Sequence, residues 1–227
     1  MVRLGMDGFS RFGSRGEAGD ALARILARAT LVNPVVLALP RGGVPIGLRC
    51  AKAINAPLDL LMVRKIGVPW QPELAAAAVV DGPAHELVMN EDVIQACGLT
   101  RDDLQPAIDR ELAELARRRK TYLAGRNAVA FDQRTVIIVD DGIATGATLK
   151  AGLQAVKRRE PESIIVAVPV APAEGVQELE ALVDRVICLA QPEPFIAIGN
   201  HYVDFHPLTD DEVIKLLEQS PPDPPAR

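Results

Sequence analysis

Long apolar runs are missing from this 227-residue sequence. No stretch approaches the roughly 18 apolar residues needed to cross a bilayer, so no membrane helix is expected. The start of the chain carries Arg3, Asp7, Arg11 and Arg15 without an apolar core segment, which argues against a secretory signal. Cysteine is scarce. Cys50, Cys97 and Cys188 are odd in number and far apart, and they form no CxxC pair or His/Cys cluster. Neither a zinc site nor a disulfide framework is supported, and a reduced, cytoplasmic setting is expected. Basic residues are in the minority, 25 against 30 acidic, for a net charge of -5. That balance disfavours nucleic acid, whose phosphates call for a basic surface, but leaves room for a local basic pocket that takes a small anion. Aromatics make up only 4% with a single Trp, so aliphatic residues and alanine must fill the core. No Ser/His/Asp or Cys/His arrangement for nucleophilic catalysis stands out.

What is present alternates. A helical apolar stripe runs over Ala18–Ala29, followed by a short buried strand at Val35–Leu39 and a Pro40-Arg41-Gly42-Gly43 turn. An amphipathic helix at Ile46–Ile54 leads to a second strand at Leu58–Val63. Gly67–Pro72 is rich in breakers and predicts a loop, and Ala75–Val80 with Glu86–Met89 predicts a hairpin about Asp81-Gly82-Pro83. A charged helix follows at Thr100–Tyr122, with Thr100 and Asp103 as a capping pair. Its basic end, Arg117–Lys120, is a solvated helix terminus that complements the dipole. Strands at Val136–Val139, Ile164–Val168 and Arg185–Leu189 alternate with helices at Thr148–Arg159, Glu174–Leu182 and Asp210–Gln219. Continuous apolar strands alternating with helices predict an open α/β fold, with a mainly parallel sheet flanked by helices. With no repeat and no long linker, residues 1–219 read as one domain and the proline-rich 220–227 as a disordered tail.

In such sheets, ligands sit beyond the carboxyl ends of the strands. The strongest signal lies there: Val136-Ile137-Ile138-Val139-Asp140-Asp141-Gly142-Ile143-Ala144-Thr145-Gly146-Ala147-Thr148. Four buried aliphatics lead into two acids, a small-residue loop and a helix. Backbone N–H groups at a helix start, with the Thr145 and Thr148 hydroxyls, form a monophosphate cradle. The acids suit a diol. A sugar phosphate with free vicinal hydroxyls satisfies both halves. Gly146 is followed by Ala147 and not by Lys, so this is no Walker A loop, and no dinucleotide fingerprint is present.

This segment resembles the signature of type I phosphoribosyltransferases, which use 5-phosphoribosyl 1-diphosphate (PRPP). The resemblance implies that Asp140 and Asp141 hold the ribose hydroxyls and that Ala144, Thr145, Gly146, Ala147 and Thr148 wrap the 5-phosphate. Arg41, Gly42 and Gly43 resemble the diphosphate loop, although a plain structural turn would read the same. Arg64 and Lys65 are similar to the entry of a mobile catalytic loop, with Gly67–Glu73 as its lid; a solvated charge pair at a strand end is the alternative. The stretch Pro194–Phe205 resembles a small C-terminal hood, spanning approximately residues 190–209. There Phe195, Ile198 and Tyr202 are acceptor-binding candidates, and core packing accounts equally for the aromatics.

The family likeness implies transfer of a 5-phosphoribosyl group to a nitrogenous, purine-like base with release of diphosphate, in nucleotide salvage, by a homodimer. Mg²⁺ would be held mainly by substrate and water, with Asp140, Asp141 and Asp204 as protein ligands. Ala144 stands where hypoxanthine-type members carry an acid, which leaves the general base unassigned, with Glu73 as a candidate; His201 and His206 are candidates for contact with the acceptor, against a surface role. The alternative is a PRPP- or nucleotide-sensing regulator without turnover. The whole chain, from the opening Phe12-Gly13-Ser14-Arg15 onward, looks closest to bacterial stand-alone members with no assigned acceptor.

Overall fold

The computed structural model describes residues 11–81, 86–124, 126 and 128–221. The turn expected at Gly82 and Pro83 and most of the proline-rich tail lie outside these residues. In chain order the elements are α1 (Arg15–Leu26), β1 (Val35–Ala38), α2 (Gly43–Ile54), β2 (Leu58–Leu60), β3 (Val63–Val68), β4 (Gln71–Val80), β5 (Glu86–Met89), α3 (Glu91–Ala96), α4 (Arg101–Tyr122), β6 (Thr135–Val139), α5 (Ala147–Lys157), β7 (Ser163–Val170), α6 (Ala173–Glu180), β8 (Arg185–Ala190), a 3-10 turn at Ile198–His201, and α7 (Asp210–Glu218). They fall into two compact units.

The first unit comprises residues 1–60, 129–146 and 159–227. Its sheet has the order β2-β1-β6-β7-β8, and every neighbouring pair is parallel. The strands are buried throughout β1 and β6, as their unbroken aliphatic runs require when both faces are covered. Helices α1, α2 and α6 pack on this sheet. Adjacent β1 and β6 run in register, Ala38 opposite Val139, so their carboxyl ends open side by side. That pairing places the Pro40–Gly43 turn next to Asp140 and Asp141. Gly43 allows the close approach: a Cβ there would come within 2.6 Å of the Val139 carbonyl oxygen.

The second unit comprises residues 61–128 and 147–158. It holds an antiparallel sheet, β3-β4-β5, with α4 and α5 packed on it. Two expectations change here. The apolar run Leu58–Val63 is not one strand. It divides into β2 and the start of β3, joined by buried Leu61 and Met62, because an apolar run alone does not separate a strand from a core connector. The breaker-rich Gly67–Pro72 is not an irregular loop either. It forms the end of a β3–β4 ribbon that turns at Pro69 and Trp70. Register shifts on both sides of Gly67 absorb the prolines, as a bulge does. Gly67 is required, since a Cβ on it would sit 2.1 Å from the Pro72 carbonyl oxygen. Trp70 stands 65% exposed at the tip.

The capping box expected for α4 forms, with Thr100 Oγ1 accepting from Asp103 N–H and the Asp103 carboxylate accepting from Thr100 N–H. Thr100→Ala is expected to cost about 1 kcal/mol of stability, the usual worth of an N-cap. A thermal melt lowered by a few degrees checks this.

Candidate functional site

The site grows from the ends of β1 and β6. Asp140 and Asp141 follow β6 directly. Asp140 is half-buried, and its Oδ1 accepts the Asp141 backbone N–H at 2.8 Å. Burial, and then the neighbouring Asp141 charge, push the Asp140 carboxyl well above the usual range. Burial raises Asp141 too, and the ion pair with Arg15 works against it.

Arg15 went unassigned in the sequence, and it meets the site most directly. Its Nε donates to Asp141 Oδ2 at 2.9 Å and its Nη1 donates to the His206 carbonyl at 2.9 Å. The guanidinium lies 3.9 Å from the centre of the Phe205 ring. The local signal for Arg15 is a broken rule. Ser14 caps α1, which makes Arg15 the first residue of that helix, where a cation is disfavoured by the dipole. The expected helix began at Ala18, so the conflict was hidden.

The turn after β1 lies against the same acid. A Cβ on Gly42 would be 2.0 Å from Asp141 Oδ2. Arg41 is exposed and makes a long ion pair with Asp210 at 3.7 Å. The loop after the acids turns inward at Ile143, whose N–H donates to the Val170 carbonyl. It then exposes Ala144 and Thr145 and passes through Gly146 at φ +68, a left-handed conformation that suits glycine. Ala147 and Thr148 open α5.

The hood residues divide. Ile198 packs over Gly142, its Cγ2 within 2.7 Å of where a Cβ on Gly142 would be. Phe195 is half-exposed and stacks on His201, with centroids 5.5 Å apart. Desolvation, and then Arg11, lower the His201 pKa. Tyr202 departs from the expectation of a base stacker. It is 2% exposed, its ring lies against Phe12 and Phe205, and its hydroxyl donates to the Asp141 carbonyl at 2.6 Å. With both faces packed, it buttresses the acid. Asp204 is exposed and bonded to His206 Nδ1 at 2.8 Å. That contact, and then Glu212, raise the His206 pKa. Among the described residues, no three His, Cys, Asp or Glu gather as a metal cluster, and Asp204 is engaged by His206.

A phosphoribosyl transferase domain model matches residues 15–204, most of the chain. The chain belongs to the phosphoribosyl transferase family. Two Mycobacterium tuberculosis proteins that carry a provisional phosphoribosyl transferase name are each 42% identical to it over 92% of this chain. The match covers 47% of their own length, so the chain spans about half of these curated relatives. The crystal structure of TT1426 from Thermus thermophilus is 39% identical and covers 92% of this chain and 99% of its own, with a TM-score of 0.82.

In this family member, the second unit carries Arg64 and Lys65 on β3. Arg64 is not free: its Nε and Nη2 bond Glu111 Oε2 of α4 at 2.8 and 2.7 Å. Lys65 is exposed. Glu73 lies on β4, with its side chain outside the described part. Burial pushes the Cys50 and Cys188 thiols up to about 12, which makes them poor nucleophiles. Among the described residues, no helix is long and apolar enough to cross a membrane.

Proposed function

We propose that the protein transfers a 5-phosphoribosyl group from PRPP to a nitrogenous, purine-like base and releases diphosphate. The observation that carries this reading is the contact between the Gly42 turn and the Asp140–Asp141 pair, formed by neighbouring parallel strands. A diol acceptor and an anion-binding turn in contact suit one ligand that bears hydroxyls and a diphosphate. In the reaction, the bond from the anomeric carbon to the diphosphate oxygen breaks and a bond to the acceptor nitrogen forms. The acceptor gives up its N–H proton, which leaves with the diphosphate or passes to water. Charge develops on the ribose, so positioning and electrostatics carry most of the catalysis.

Asp140 and Asp141 orient the ribose hydroxyls. Ala144, Thr145, Gly146, Ala147 and Thr148 wrap the 5-phosphate, with backbone N–H groups as donors. Arg41 and the backbone of Gly42 and Gly43 take the diphosphate, and Arg64 and Lys65 supply positive charge to it as it leaves. Phe195 and Ile198 hold the acceptor. Mg²⁺ would supply further charge compensation for the diphosphate, held mainly by oxygens of the ligand and water, with Asp140, Asp141 and Asp204 as the carboxylates of the chain that would join it. In this reading the protein works in the cytoplasm as a homodimer in nucleotide salvage.

The test is diphosphate release with PRPP, Mg²⁺ and a panel of purine and other heterocyclic bases. Release that depends on one base and is lost in the Asp140→Asn, Asp141→Asn double variant is the expected result. PRPP binding without release for any base makes the protein a sensor. Failure to bind PRPP removes the reading altogether.

A further inference from the structure

We propose that Arg15 is a positioning residue that divides the labour of the acid pair: it holds Asp141 as a fixed, charge-compensated anchor and leaves Asp140 as the acid that meets the ribose hydroxyls. This rests on the reading of the site as a PRPP site, which assigns the hydroxyls to both acids alike.

Asp141 is fixed from three directions. Arg15 Nε takes Oδ2 at 2.9 Å, the Tyr202 hydroxyl takes its carbonyl at 2.6 Å, and the Gly42 backbone lies against its carboxylate. Its side chain therefore has little freedom to turn toward a ligand. Arg15 is equally constrained, by the His206 carbonyl and the Phe205 ring, and is only 9% exposed. A guanidinium this desolvated, at the disfavoured end of a helix, is held there by its partner. Asp140 accepts the Asp141 N–H and is half-buried, so part of it faces outward.

Charge favours the same division. PRPP carries several negative charges, and two uncompensated adjacent carboxylates would repel it. With Asp141 compensated by Arg15, the pair presents one net negative charge, enough to accept hydrogen bonds from a diol. Arg15 comes from the far N-terminal end of the described chain, and the segment before it is tied into the hood. Phe12 N–H donates to the His201 carbonyl, and Val203 N–H donates to the Phe12 carbonyl. The hood and the acid pair are thus coupled through the segment from Phe12 to Arg15.

The test is a double-mutant cycle on PRPP affinity, measured by calorimetry with Mg²⁺ on the full chain. Arg15→Gln is expected to weaken PRPP binding by about tenfold or more, the scale of a lost charge-assisted contact. Arg15→Lys, which keeps the charge without the fork, recovers part of the loss. In an Asp141→Asn background, Arg15→Gln is expected to change affinity by less than about twofold, because the two act as one unit. An Arg15 that serves only to dock α1 would give the same loss in both backgrounds, and that additivity overturns the proposal. Unchanged affinity in Arg15→Gln overturns it as well. If Arg15→Gln does not fold, the cycle with Arg15→Lys is judged by the same criterion. A wild-type protein that does not bind PRPP removes the functional reading and this inference with it, whereas PRPP binding with additive losses removes this inference alone.

Discussion

Asp140→Asn is expected to stop diphosphate release and at the same time make the protein harder to unfold at neutral pH. Asparagine is nearly isosteric and keeps an oxygen to accept the Asp141 N–H, so the local geometry survives. What disappears is a half-buried negative charge beside a second one. The folded protein holds the Asp140 carboxyl well above its ordinary range through burial and then through Asp141. A carboxyl raised in the folded state contributes stability that is fully present below its unfolded pKa of about 4 and is lost as pH rises through the folded value. The wild type therefore gives up stability on going from acid to neutral pH, and the asparagine variant does not. The gain at neutral pH is expected on the order of 1 kcal/mol, a common scale when a strained functional residue is relieved. Activity falls by about a hundredfold or more, as when one preorganised electrostatic partner is lost. Melting curves of both proteins at pH 5 and pH 7.5 provide the check. The variant's advantage widens with pH, and a variant less stable than wild type at pH 7.5 would sink the idea that Asp140 is strained by its neighbours.

The same pair shows how far the sequence can be read. Val136–Val139 announced a buried strand because only a doubly covered parallel strand tolerates four aliphatics in a row, and the structure places β6 in the middle of the sheet. Asp140 and Asp141 were visible for the same reason: acids directly after such a strand stand at the sheet's open end. The flanking helices were legible from their periodicity, and α4 also from its cap. The second sheet was legible only in part: the hairpin of Ala75–Val80 with Glu86–Met89 forms as β4 and β5, but the β3–β4 ribbon was not foreseen. Its strands mix buried alanines with charges, and a glycine and two prolines disguise the ribbon, so local propensity pointed to a loop where cross-strand pairing wins. Tyr202 and Arg15 were illegible in another way. Their roles depend on contacts from opposite ends of the chain, which no local pattern encodes. The scarcity of aromatics was a clue that periodicity ignored. Phe12, Phe195, Tyr202 and Phe205 gather around the hood, and three of them brace the Arg15–Asp141 pair or its immediate support.

Gly42→Ala separates backbone preference from steric contact. Gly42 has φ -61 and ψ -36, ordinary helical values, and caps α2 without a side-chain bond. Those dihedral angles accept an L side chain, so alanine meets no backbone strain there. The added Cβ, however, would stand 2.0 Å from Asp141 Oδ2 and 2.4 Å from its Cγ. A flexible carboxylate would swing away at little cost. This one is held by Arg15, which is itself held by the His206 carbonyl and the Phe205 ring. Either the turn lifts off the acid, carrying Arg41 with it, or the Arg15–Asp141 pair opens. Both displace the turn proposed to bind the anion relative to the acids proposed to hold the ribose, and a shift of about 1 Å in such a constellation costs on the order of a hundredfold in rate. Stability is expected to fall by about 1–3 kcal/mol, as for other overpacked sites. Gly43→Ala gives the contrast. There the Cβ meets the Val139 carbonyl oxygen at 2.6 Å, a backbone atom in the central strand, so the fold itself has to yield. The measurements are PRPP affinity, turnover and melting temperature for both variants. Gly42→Ala should lose function far out of proportion to stability, and Gly43→Ala should lose both together. Full turnover in Gly42→Ala would show that the turn and the acid pair are not one site.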